Sequence, residues 1–329
     1  MKRIIALLIA IVGIAGACGP ANRSGRAPEG AINTVATTSM IADLIRQIGG
    51  EHVHVTGLMG PGVDPHLYQA SAGDVTRMAE ADVIFYNGLH LEGKMTYVFE
   101  QMHLREIRTV ALAEISIDDD ELIESPAFQG NYDPHVWFDV SLWMKVAQTL
   151  SDALSDIDPD NAATFEANLE AYLDELSRLD EYIREKAAGL PEIRRVLITS
   201  HDAFGYFGRA YGFEVYGLQG ISTAAEAGTA DVQALVNFVV ERRIPALFVE
   251  SSVSPKGIEA VREAVRSHGF NVEIGGTLYG DALGDPESQA GTYSGMIRHN
   301  IDTIISSLQN EHTAAARQVA WKHAHEPLL

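Results

Sequence analysis

A chain of 329 residues with one cysteine, Cys18, can form no internal disulfide and no thiolate metal site. Positive charge is also scarce. Against 45 acidic residues there are 24 lysines and arginines, a net charge of −21 that argues against nucleic acid and anionic membrane surfaces as partners. There is no Walker A loop, so nucleotide hydrolysis would have to come from another chain. No HExxH or comparable short metal motif appears either. The most apolar run, "IIALLIAIVGIAGA" at 4–17, is too short and glycine-interrupted to read as a membrane span.

What is present begins with that run. Lys2 and Arg3 precede it and small residues close it, the pattern of a secretory signal over 1–17. Cys18 follows "AGA" directly, which resembles a bacterial lipobox, although Ala15 stands where leucine is usual. Lipidation of Cys18 would anchor the mature chain to a membrane. Removal of 1–17 takes two cations and no acid, leaving about −23. The Gly/Pro/Ala/Arg-rich stretch over 18–31 reads as a tether. The remainder, in a chain 46% apolar and 21% charged, has the size of two ordinary globular domains.

The pattern predicts an α/β protein of two lobes, each with a parallel sheet. From 32 to 157, β-branched runs such as "INTVATT", "HVHVTGLM", "DVIFYN" and "RTVAL" alternate with helical stretches, including "SMIADLIRQIGG" with Ser39 as its cap and "SAGDVTRMAEA". The alternation restarts over 190–312 with "RVLITS", "FEVYGL", "ALFVE" and "NVEIGG". Residues 313–329 form a tail. Between the lobes, 158–189 predicts one linking helix, opened by Asp158-Pro159 and stopped by Gly189 and Pro191. Its 30 residues from 159 to 188 would span about 45 Å. Phe165, Leu169, Tyr172, Leu176, Leu179 and Ile183 give it a single apolar seam, the mark of a rigid strut.

Two segments, "VDPHLYQ" at 63–69 and "YDPHVWFD" at 132–139, repeat Asp-Pro-His. Proline fixes φ and biases the residue before it towards extended backbone, so each histidine leaves a turn of preset direction. His66 follows a predicted strand, His135 lies in a loop, His201 directly follows "RVLITS", and Asp281 follows "IGGTLYG". Ligands collect beyond the carboxyl ends of parallel strands, so these four could meet in one cleft between the lobes. Three imidazoles and a carboxylate suit a first-row divalent cation. Taken singly, each is equally readable as a hydrogen-bonded loop residue.

The stretches "GVDPHLYQAS", "NGLHLE", "DPHVWFDV", "TSHDAFGYFGRAYG", "LQGISTAAEAG", "FVESSV" and "GTYSGMIRHNID" resemble the TroA-like metal-binding subunits of ABC importers, the cluster A-I solute-binding lipoproteins, over about 32–310. The resemblance implies two α/β lobes joined by a long helix, with His66, His135, His201 and Asp281 as metal ligands. It also implies zinc or manganese as the transported ion. A histidine at 201 is common among zinc or zinc/manganese members. The stretch "DDDELIESPAFQGNYD" at 118–133 lacks the histidines of many dedicated zinc members, which keeps manganese open.

Glu250, at the end of "ALFVE", either orients a ligand imidazole or lines the pocket wall. Asp64 and Asp133 could also orient an imidazole but read better as turn caps, Trp137 and Phe138 read as core, and His52 with His54 as solvated neighbours on a strand. His90 stands near the site by sequence, and His323 and His325 belong to the tail. The expected protein is a monomeric, extracytoplasmic, lipid-anchored carrier with no catalytic residues, which hands its metal to a permease energised by a separate ATPase. Its affinity should fall as cleft histidines protonate below about pH 6. A secreted zinc hydrolase and a surface adhesin are the alternatives, the first disfavoured because four protein ligands leave no open position for water.

Overall fold

The computed structural model describes residues 30–125, 128 and 130–309. The signal segment, Cys18, all but the end of the tether, and the tail with His323 and His325 lie outside them.

Strand β1 (Ile32–Ala36) pairs in parallel with β2 (Val53–Gly57) and β3 (Val83–Tyr86), and β3 with β4 (Arg108–Ala111). The order β2-β1-β3-β4 reverses direction between β1 and β3, the point where parallel sheets open a crevice at their carboxyl edge. The crossover after β1 is α1 (Ser39–Gly49), which buries Met40, Ile41, Leu44, Ile45 and Ile48 on one side. Its cap is Thr38, whose side chain accepts from the Ile41 amide, and not Ser39, which is the first helical residue. Helices α2 (Ala72–Ala79), α3 (Thr96–His103) and α4 (Leu112–Ser116) follow. A two-residue antiparallel pair, β5 (Glu124–Ser125) and β6 (Asn131–Tyr132), then leads to the His135 turn.

Helix α5 (Val140–Ile157) was not among the helices anticipated. Val140, Trp143, Ala147, Leu150 and Leu154 recur at 3-4-3-4 spacing on its buried side. The linking segment also differs from its expectation. Pro159 cannot continue α5, because it lacks an N–H and its ring clashes with the preceding turn. A single 3-10 turn, Pro159–Asn161, therefore separates α5 from α6 (Ala162–Ala188). Helix α6 has 27 residues, and so is about 40 Å long. All six seam residues, from Phe165 to Ile183, are buried.

In the second lobe β7 (Val196–His201) pairs in parallel with β8 (Glu214–Gln219), and β9 (Ala246–Glu250) with β10 (Glu273–Leu278). The expected single sheet is thus two parallel ladders, with β7 and β9 side by side. Helices α7 (Gly205–Tyr211), α8 (Thr229–Arg242), α9 (Lys256–Ser267) and α10 (Tyr293–Gln309) complete this lobe.

Helix α6 packs against α1 and α5 on one side and α10 on the other. Its seam belongs to a hydrophobic core shared by both lobes, in which Leu44 and Trp143 join Leu176, Phe204, Phe248 and Tyr293. Smaller separate cores lie under α2–α3 and under α8–α9. Polar groups stitch the same region. Asp43 on α1 accepts from the Tyr293 amide at 2.9 Å, and Tyr293 Oη donates to the Trp137 carbonyl at 2.8 Å. His52 is not on a strand but ends a 3-10 turn, its ring edge-on to Phe165. Among the described residues no helix is long and apolar enough to cross a membrane.

Candidate metal centre

The two Asp-Pro-His turns are built alike. Asp64 Oδ1 accepts from the His66 amide and Asp133 Oδ1 from the His135 amide, each at 2.9 Å. Each carboxylate thus caps its own turn and fixes the backbone from which the histidine projects. His201 is the last residue of β7 and not the first beyond it. Asp281 lies three residues past β10, where Asn300 clamps Tyr279 by donating to its carbonyl at 2.8 Å and accepting from its amide at 2.9 Å. Gly280 leaves room for a close approach. A Cβ there would stand 2.3 Å from Glu250 Oε2, so its absence lets the Asp281 backbone pass over that carboxylate. Trp137, a core residue, also donates its indole N–H to the Gly280 carbonyl at 3.1 Å, tying one lobe to the other beside the site.

These elements bring His66, His135, His201 and Asp281 together, with one donor atom of each within 4.8 Å of the others. All four are buried, His66 the least so at 4% exposure. His135 Nε2 lies 3.3 Å from His66 Nε2 and 3.4 Å from His201 Nε2. Asp281 Oδ1 lies 3.4 Å from His135 Nε2, and Oδ2 lies 3.3 Å from His201 Nε2. A tetrahedral ion with ligands at 2.0–2.1 Å has edges of about 3.3 Å. Neither oxygen of Asp281 meets a hydrogen-bond donor in good geometry. A buried carboxylate without donors is costly unless a cation faces it.

Two of the imidazoles are backed by carboxylates. His135 Nδ1 is 2.7 Å from Asp133 Oδ1. His201 Nδ1 is 2.8 Å from Glu250 Oε2, which lies off the N–H axis, while Glu250 Oε1 accepts from the His201 amide at 2.9 Å. Glu250 thus stands against both the ring and the backbone of His201. Asp133 does more than cap its turn, since it also aims Nε2 of His135 into the cleft.

The charges follow from these contacts. Burial works against a charged His135, but Asp133 and Asp281 outweigh it and raise the imidazole to about 9. Burial likewise opposes charge on His201, and Glu250 with Asp281 raises it well above the ordinary range. Burial alone would push Asp281 up, yet His201 and His135 hold it well below. His66 goes the other way. Burial, with His135 and His201 beside it, drives it to about 3 against the pull of Asp281.

Other expected neighbours are elsewhere. His90, with φ +64°, lines a separate cavity of about 880 Å³ beyond β3 and β4, together with Tyr86, Glu100, Glu114 and Tyr132. None of the four clustered residues lines that cavity. Phe138 is core, stacked on Phe204. Thr223, unmarked by sequence reasoning, donates to Asp64 Oδ2 at 2.6 Å from the opposite lobe. Sequence marks only the stretch "LQGISTAAEAG" as a whole, because a lone loop threonine carries no periodic or spacing signal.

The chain matches the family described as "ZnuA: Zinc-uptake complex component A periplasmic" over residues 34–307. It is 47% identical over 307 residues to the zinc-binding protein TroA of Treponema pallidum, covering 93% of this chain and 98% of that one. Identity to the manganese-binding lipoprotein MntA of Bacillus subtilis is also 47%, over 305 residues, covering 92% and 98%. The solved periplasmic zinc-binding protein TroA from Treponema pallidum superposes with a TM-score of 0.82 at 50% identity, over 85% of this chain and 99% of that one.

Proposed function

The chain belongs to the periplasmic zinc-uptake component A family, and from that premise we infer that it captures a divalent metal outside the cytoplasmic membrane and passes it to an ABC permease. His66, His135, His201 and Asp281 are the ligands in this reading. One observation carries it: three imidazole nitrogens and a buried carboxylate converge with one donor atom of each within 4.8 Å of the others, and His135 Nε2 lies 3.3–3.4 Å from the other two imidazoles' and the carboxylate's nearest atoms, close to the edge of a coordination tetrahedron. The nitrogen-rich donor set favours zinc over manganese, and manganese stands second because a relative of equal identity is a manganese-binding lipoprotein. Both oxygens of Asp281 face imidazoles, so either one or two can reach the ion.

The lobes, with α6 between them, form the carrier proper over 32–312, and Cys18 holds it to the membrane as a monomer through the 18–31 tether. The permease works with a separate ATPase. The chain does no covalent chemistry, since four protein ligands leave no place for an attacking water. Metal replaces the protons on His135 and His201, so loss of affinity on acidification begins well above the pH 6 expected from ordinary histidines.

The test is metal analysis of the stripped protein offered zinc, manganese and ferrous iron separately, followed by competition titration. One equivalent of zinc, lost in His201→Ala, supports the reading, and equally tight manganese makes the carrier dual. No stoichiometric uptake of any ion would remove it.

A further inference from the structure

Three of the four clustered residues stand on the base that the lobes share, where Trp137, Tyr293 and Tyr206 bond across from lobe to lobe. His66 does not. It sits on the loop over 60–66, at the mouth, with no carboxylate behind its ring among the described residues. That loop lies against two loops of the second lobe. A Cβ on Gly62 would stand 3.4 Å from the Ser251 carbonyl, and Asp64 meets Thr223. Among the described residues the Thr223–Asp64 contact is the one hydrogen bond from this loop to the second lobe. Asp64 uses both oxygens: Oδ1 holds the His66 amide at 2.9 Å, and Oδ2 takes the Thr223 hydroxyl at 2.6 Å. Thr223 is 8% exposed, so water competes little for the bond.

We propose that the Thr223–Asp64 hydrogen bond is the latch of the metal site, a positioning pair that holds His66 in place only while the lobes meet at the mouth, and so sets how fast metal leaves. The proposal rests on His66 being a ligand. Neither latch residue belongs to the four-residue cluster. With the bond broken, the loop keeps its turn but loses its hold on the second lobe, and His66 withdraws from an ion still held by His135, His201 and Asp281. Release then proceeds by a loop at the mouth, leaving the shared core of the base intact.

The experiment is stopped-flow transfer of zinc from the full chain to excess chelator, with Thr223→Val, Thr223→Ser and Asp64→Asn beside the wild type. Thr223→Val keeps the shape and removes the donor. Its release should quicken roughly tenfold, a loss of about 1.4 kcal/mol, with Asp64→Asn faster still because it also weakens the turn. Thr223→Ser should restore slow release, and metal-free Tm should stay unchanged in both Thr223 variants. Release by Thr223→Val within twofold of wild type would overturn the latch. So would faster release matched by a lower metal-free Tm, which is the mark of a merely structural bond. Failure of the ligand reading looks different: it appears at equilibrium, as zinc held by His66→Ala as tightly as by the wild type, and takes the latch with it.

Discussion

Each lobe backs one histidine with a carboxylate, and the two lobes do so by different means. In the first, Asp133 stands two residues before His135, and one turn supplies both backbone cap and ring partner. In the second, Glu250 comes from β9 to His201 on β7, across 49 residues of chain and the seam between two ladders. The same chemistry is local in one lobe and tertiary in the other. A local partner survives whatever its surroundings do, whereas a tertiary one holds only if two strands keep their places. Glu250 therefore serves the fold as well as the site, its carboxylate joining strands that share no ladder.

The contrast is broken most severely by removing what both histidines share. Asp281→Ala removes the one carboxylate that faces both Nε2 atoms and should cost zinc binding about 3–5 kcal/mol, more than about a hundredfold, read by competition titration. Should zinc affinity survive that change, the carboxylate is not a ligand. The comparison is sharpened by Glu250→Gln beside Asp133→Asn. Each should weaken zinc binding by about 10–100-fold, but only Glu250→Gln should also lower the metal-free Tm appreciably. Equal Tm changes would mean that the tertiary partner has no role in joining the strands.

Proton release comes next. His135, at about 9, and His201, raised further than ordinary imidazoles, carry protons at pH 7 in the metal-free protein, while His66, at about 3, does not. Zinc binding at pH 7 should expel up to about two protons, and affinity should climb with pH towards 9. Calorimetry in buffers of differing ionisation enthalpy measures this, and zero release would refute the charge assignment. The sign for stability is opposite. A raised histidine stabilises the metal-free fold fully below its unfolded value of about 6.5, and that contribution fades as pH rises through 9. The smallest effect belongs to His90→Ala, which should leave zinc affinity within about twofold, since exposed residues away from a site rarely matter.

How much of this was legible in the sequence depended on the same distinction. The six-residue seam of α6 could be read because its spacing is local and regular, and every member is buried. The paired Asp-Pro-His turns were visible as repeated words, and their histidines do converge with His201 and Asp281. Helix α5 carries an equally regular face, but the apolar run Val136–Phe138 of the preceding 3-10 turn merges with its start and blurs the period there. Asp133 reads from sequence more readily as a cap than as a ring partner, because its second bond depends on how the His135 ring turns back. The split of the second sheet and the Thr223–Asp64 bond leave no local trace. Each arises where segments distant in the chain are brought together.

The bond between Asp43 and the Tyr293 amide joins residues 250 positions apart. Helix α1 is among the first elements made and α10 is the last among the described residues, so the first lobe cannot complete its core until nearly the whole described chain is available. Contacts of such long range carry a loop-closure cost before they return any stability. The two lobes look separable on paper, but in time they are not: the molecule becomes itself in one late, cooperative event, and a fragment ending after α6 would be an N-terminal lobe with its floor missing.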